Sequence, residues 1–468
     1  MTRAVVLGGG MAGMLAAAGL ARHVDEVIVV EGDALPAEPA PRRGLPQGHH
    51  SHLLMAGGAE ALDQLLPGTT DRLYAAGAHR RGMPEGMLTL SSAGWYRRHP
   101  GDAYVVICSR ALTDHVVRRQ ALDASGNIIV RESAKVVGLA GDADQVTGVR
   151  VQVNPAQIET IDADFVVDAT GRRSAAPAWL AELGLPEVEE EVVDSGLAYA
   201  TRMYAAPAGI SRDFPAVLIQ PLAGTGEPGY GATLYLLEDE RWIVTLCGTR
   251  GGEPPSDEDG YLRYARNMRH PIIAELVADA QPIGPVRPYR GTINRRRYYE
   301  RSTMPEGFAV LGDAVAAMNP VYAHGMSVAA LGALALHTEL DNSGLKPGLA
   351  AAVQSAVAGV TDGPWTMACE QDLAFPEVKT NREVTGGPSE EEQRFGQRMA
   401  ETAVTEALLA NALFSAYTLR TSGAEMMTPE LQELVERGPV RSPLTAEEAI
   451  AQFPELGPLR RPIAAPQP

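Results

Sequence analysis

A short apolar strand that runs straight into Gly-x-Gly-x-x-Gly and on into a helix leaves a chain few folds to choose from. Here Ala4-Val5-Val6-Leu7 leads into Gly8-Gly9-Gly10-Met11-Ala12-Gly13, and a helix-forming run follows over residues 14–21. In that setting each glycine has a task. Gly8 permits the tight turn, Gly10 lets backbone approach a pyrophosphate, and Gly13 lets the helix pack close to the strand. The helix N-terminus then offers unpaired N–H groups and a positive dipole end to phosphate. A second strand, Val27-Ile28-Val29-Val30, ends at Glu31, eighteen positions beyond Gly13. A carboxylate there accepts hydrogen bonds from a ribose diol. The ligand is an ADP-containing dinucleotide, and this motif alone leaves FAD and NAD both open. Residues 224–229 repeat the same letters, but they contain Pro228 and precede a strand. They read as a hairpin loop. With a single Rossmann site, a bound flavin fits better than a flavin plus a separate nicotinamide domain.

Composition narrows the partners. The chain has 468 residues, too many for one ordinary core, so two or three packed modules are expected. Its 58 acidic against 40 basic residues give a net charge of −18. Nucleic acid and an anionic membrane surface would repel such a chain. Cys108, Cys247 and Cys369 lie far apart, so no disulfide framework or zinc pattern is legible, and a reducing, cytoplasmic setting is expected. His49, His50 and His52 cluster without a neighbouring carboxylate or cysteine and read as loop histidines, not metal ligands. No apolar run approaches the length of a membrane span.

The pattern along the chain predicts a mixed α/β fold: a Rossmann-like FAD/NAD(P)-binding domain, an inserted antiparallel-sheet substrate domain and a helical C-terminal part. Residues 1–190 are assigned to the first part of the dinucleotide-binding domain, with substrate-side strands near 88–108. Residues 127–139 read as one strand. The hydrophobic period changes to two over 196–249, so residues 191–300 are assigned to the substrate sheet. That module is completed by a single helix over 258–278 and a strand over 286–299. On the strand, Arg295-Arg296-Arg297 should alternate faces, with one arginine inward. Residues 301–345 return to the first domain, and 346–468 form a helical region with a proline-rich tail.

Two further motifs carry chemistry. Val310-Leu311-Gly312-Asp313 is a buried strand ending in Gly-Asp, where Asp313 can hold a ribityl hydroxyl. Pro320-Val321-Tyr322-Ala323-His324-Gly325-Met326 precedes a small-residue helix over 328–336, whose N–H groups can face a flavin carbonyl. Together with Asp168-Ala169-Thr170-Gly171, these motifs resemble the FAD-dependent monooxygenases of the aromatic-hydroxylase type. Within that group the chain is most similar to the polyene epoxidases of polyether ionophore biosynthesis. The closer likeness rests on residues 42–47 (RRGLPQ), His50-x-His52, residues 66–72 (LPGTTDR), residues 248–255 (GTRGGEPP) and Asn294-Arg295-Arg296. It covers residues 1–345 and departs from the pattern at His49, where arginine is usual, and at Ala323, where glycine is usual.

The resemblance implies FAD as cofactor, with Gly8, Gly10, Ala12, Gly13 and Glu31 on its ADP half. Arg42 and Gln47 would lie along the flavin, Arg110 at the pyrophosphate or ribityl region, and Val136 against the adenine. Gly312 and Asp313 would hold the ribityl chain, and Pro320, Gly325 and Met326 would face the ring. It also implies O₂ as co-substrate, NAD(P)H as reductant, directly or through a flavin reductase, and oxygen transfer from a flavin C4a-hydroperoxide. The implied substrate is a long apolar polyketide, free or carrier-bound. Epoxidation needs no catalytic base, consistent with a sequence in which no acid–base pair stands out; only Tyr322 and His324 offer themselves. Hydroxylation of an aromatic or indole ring, and a non-catalytic flavoprotein scaffold, are the alternatives. The Trp-x-Trp-x-Ile-Pro motif of flavin halogenases is absent, because Trp95, Trp179, Trp242 and Trp365 are isolated.

Overall fold

The computed structural model describes residues 1–154, 157–383, 387 and 389–463. The end of the expected proline-rich tail, 464–468, lies outside the described residues. Five strands form a parallel sheet in the order Phe308–Val310, Phe165–Asp168, Arg3–Leu7, Glu26–Val30, Ile128–Arg131. Both faces of its central strands are covered, which is why they are almost continuously apolar. Val5, Val6, Val27, Val29, Val166, Val167 and Val310 are fully buried. The helices Met11–Leu20, Gly325–Ser343 and Leu349–Leu373 are part of the same core.

A second, seven-stranded sheet has the order Pro282–Tyr289, Ala198–Ala205, Arg241–Gly248, Tyr230–Leu237, Ala216–Ile219, Met87–Ser91, Gly94–Trp95. It is antiparallel except where Ala216–Ile219 runs parallel to Met87–Ser91. One face buries Trp242, Val244, Leu246 and Leu234 against helices Glu258–Arg266 and Ile272–Val277. The alternate residues Thr201, Thr245 and Thr233 stand opposite one another on the other face. The loop 224–229 does join two antiparallel strands, as a hairpin connection.

Several elements differ from expectation, each for a local reason. The first helix starts at Met11, so Gly13 lies inside it and not before it. The expected strand 127–139 is two, Ile128–Arg131 and Lys135–Gly141, separated by a turn in which Ser133 has φ +56°. The expected helix 258–278 divides into Glu258–Arg266 and Ile272–Val277, and Pro271, which has no N–H to continue a helix, caps the second. The expected strand 286–299 also divides. Pro282–Tyr289 belongs to the seven-stranded sheet, while Asn294–Arg297 joins Glu190–Asp194, Ala316–Ala317 and Lys379–Thr380 in another. Two of its arginines are buried, not one. Arg296 pairs with Glu300 and Asp362, and Arg297 with Glu190, so each charge is compensated by a carboxylate. Among the described residues no helix is long and apolar enough to cross a membrane.

Candidate functional site

Two helix N-termini open onto one cavity of about 940 Å³ between the parallel sheet and the seven-stranded sheet. The helix Met11–Leu20 begins at Gly10 with no side-chain cap and no acid in its first turn. Helix Gly325–Ser343 begins in the same way after His324. Gly10, Met11 and Ala12 at the start of the first helix line the cavity, as do Gly325 and Met326 at the start of the second.

The glycines shape this cradle in different ways. Gly8 has φ +95°, and a Cβ there would stand 2.8 Å from the Ala169 carbonyl oxygen. A Cβ on Gly13 would fall 1.8 Å from the Gly8 carbonyl oxygen, so only glycine lets helix and strand meet. Gly312, at φ +61°, turns the chain after Phe308–Val310. Gly13 and Gly312 thus shape the site without lining it. Gly8, Gly10, Ala12, Glu31, Arg42, Gln47, Arg110, Val136, Asp313, Pro320, Gly325 and Met326 all line the cavity.

Charged groups are tied to one another along its wall. Glu31 accepts from the Gly9 N–H at 2.7 Å, the Asp33 N–H at 2.9 Å and Arg42 Nη1 at 3.0 Å. Asp114, which the sequence did not single out, accepts from Arg110 Nε at 2.8 Å and lies 3.8 Å from Arg42 Nη2. It sits one helical turn beyond Arg110, and that spacing was its only signal. Burial pushes the Asp313 carboxyl up, while the Arg172 and Arg110 charges oppose the shift. Arg172 is held by the carbonyls of Ile293 at 2.7 Å and Met318 at 3.0 Å. The uncapped helix starts, the glycine cradle and these cations suit a pyrophosphate-linked dinucleotide.

The opposite wall is built from neutral groups. His50 Nδ1 lies 2.7 Å from Thr201 Oγ1, which is 2.7 Å from Thr245 Oγ1, itself 2.8 Å from Ser51 Oγ. The His50 ring also packs 5.1 Å from Tyr289 and 6.0 Å from Tyr199. Burial, then the neighbouring histidine and arginine charges, pushes His50 down to about 3. Burial, followed by the Arg110 charge, pushes His52 down to about 4. The Tyr199 hydroxyl is raised well above its ordinary value by burial.

Tyr322 and His324 do not line the cavity. The Tyr322 hydroxyl donates to Asp372 at 2.7 Å. His324 lies 2.8 Å through Nε2 from the Tyr417 carbonyl, and burial pushes it down to about 4. Asp372 also accepts from Ser195 at 3.0 Å, Asn294 at 2.7 Å and Asn319 at 3.0 Å. It lies on the helix Leu349–Leu373, whose buried positions Thr361, Trp365, Ala368 and Asp372 follow helical spacing. A carboxylate on that apolar face was the signal available in the sequence.

Comparison with known proteins agrees with this architecture. A family model described as "FAD binding domain" matches residues 1–343. The Mycobacterium tuberculosis protein Rv3254 is 33% identical over 386 residues, covering 80% of each chain. A triple mutant of the flavin-dependent brominase Bmp2 shares the fold with a TM-score of 0.63 and 13% identity, over 93% of this chain and 97% of that one. The p-nitrophenol 4-monooxygenase PnpA of Pseudomonas putida shares it with a TM-score of 0.57 and 18% identity, over 94% and 100%. The chain belongs to the FAD binding domain family, and FAD is its cofactor.

Proposed function

We propose that this FAD-dependent monooxygenase epoxidises the double bonds of a long apolar polyene, in the biosynthesis of a polyether-type secondary metabolite. One observation carries the reading: the two histidines that line the cavity, His50 and His52, are held far below their ordinary value by burial and are poor bases. His50, down at about 3, is a very weak base. A phenol ionises near 10, so transfer to such a base costs on the order of 10 kcal/mol. A phenol ring becomes strongly nucleophilic by losing that proton, whereas an alkene needs no proton removed. Once reduced, FAD supplies O₂ activation and an electrophilic oxygen atom.

The chain's own residues then bind, orient and exclude water. Arg42 and Gln47 suit the flavin, Arg110 the pyrophosphate or ribityl region, Val136 the adenine, Asp313 the ribityl chain, and Pro320, Gly325 and Met326 the ring. The threonines behind His50, Thr201 and Thr245, fix it as a neutral, oriented surface for the substrate. Reducing equivalents come from NAD(P)H, directly or through a separate reductase. The test is incubation of the FAD-loaded protein with a long-chain polyene, NAD(P)H, a flavin reductase and O₂. Products heavier by whole oxygen atoms that open to diols in acid are expected. Oxygen transfer to an added phenol or indole but not to the polyene, or no transfer at all, defeats the reading.

A further inference from the structure

The edge strand of the seven-stranded sheet brings uncompensated positive charge to the cavity mouth. Pro282–Tyr289 pairs with Ala198–Ala205 so that Tyr289 stands opposite Tyr199 and Arg287 opposite Thr201. Directly opposed residues share a face of the sheet. Thr201 contacts His50, and so does the Tyr289 ring, so Arg287 projects on the cavity side. Arg290, just past the strand, lines the cavity itself. Both arginines are exposed. Among the described residues neither has a carboxylate partner. Three other arginines around this sheet do: Arg202 pairs with Glu258, Arg241 with Glu238 and Arg250 with Asp194. Burial and the Arg287 charge together hold His49, at the same mouth, below its ordinary value. In a chain of net charge −18, these two unpaired cations, with Arg173 lining the same cavity and its charge also felt at Tyr289, mark a place for an anion.

We infer that Arg287 and Arg290 bind the terminal carboxylate of the substrate, which is therefore a free polyene acid whose chain passes over Tyr289 and His50. This rests on the apolar-chain reading above. Phosphate groups of NAD(P)H offer the same anionic chemistry, and the experiment separates the two sources. The FAD-loaded protein is titrated with a long-chain polyunsaturated fatty acid and with its methyl ester, following the visible spectrum of the bound flavin. In the double variant R287A/R290A, the Kd of the acid is expected to rise about tenfold, as for loss of charge-assisted contacts. The Kd of the ester, FAD retention and Tm are expected to stay unchanged. Equal effects on acid and ester, or no effect on either, overturn the inference and leave the apolar-chain reading standing. A raised KM for NAD(P)H with acid binding intact assigns the arginines to the nicotinamide phosphates and also overturns it. If neither acid nor ester perturbs the flavin of the unaltered protein, the apolar-chain reading fails and takes the inference with it.

Discussion

Ala323 lines the cavity with φ +57°, a left-handed conformation that favours glycine. It is also one of the two positions, with His49, at which the sequence departs from the resemblance it otherwise carries. Ala323→Gly is therefore expected to stabilise the protein by up to about 1 kcal/mol, the relief of strain being partly offset by the entropy of glycine in the unfolded chain. Denaturant titration checks this, and a loss of stability would show that the Cβ makes a contact worth more than the strain. Single residues are legible in the sequence where their backbone demand is extreme. Gly8 and Gly13 announce themselves because no other residue fits, whereas Tyr199 and Tyr289 stay hidden. Strand alternation puts such residues on one face or the other, and only the packed sheets decide which face meets the cavity.

At the scale of elements, the helix Leu349–Leu373 reaches back to the cofactor side through one buried carboxylate. Asp372 joins Ser195, Asn294, Asn319 and Tyr322, so it ties the turn Pro320–Tyr322 to the sheet strand Asn294–Arg297. Asp372→Asn keeps the shape but turns an acceptor into a donor facing donors. A loss of about 1–3 kcal/mol is expected, with faster release of FAD on dilution. Unchanged stability would mean that the four donors find other acceptors. Strands and helices with strong periodicity are legible in the sequence, and so is the hairpin at 224–229. Boundaries are not, where one turn divides a continuous apolar pattern, as at Ser133.

The whole molecule carries a pH signature. His50, His52 and His324 are held at about 3, 4 and 4 against an ordinary 6.5. The unfolded chain takes up these protons below 6.5, while the folded chain resists them, so stability is complete above that value and is lost as pH falls towards 4. Each histidine contributes a slope of about 1.4 kcal/mol per pH unit within that window. His324→Gln is expected to flatten the slope by one such share in denaturant titrations, and an unaltered slope would refute the assignment. A different consequence follows from the order of the parallel sheet. Phe165–Asp168 is completed on its open side only by Phe308–Val310. At roughly 5–20 residues per second of synthesis, that edge waits on the order of ten seconds for its neighbour. During that interval the second sheet is made while an apolar strand edge stands unpaired, and residues that complete the cofactor cradle have not yet left the ribosome. A complete cradle for the flavin therefore exists only once residues 313–326 have been made, although the residues suited to its ADP half emerge first.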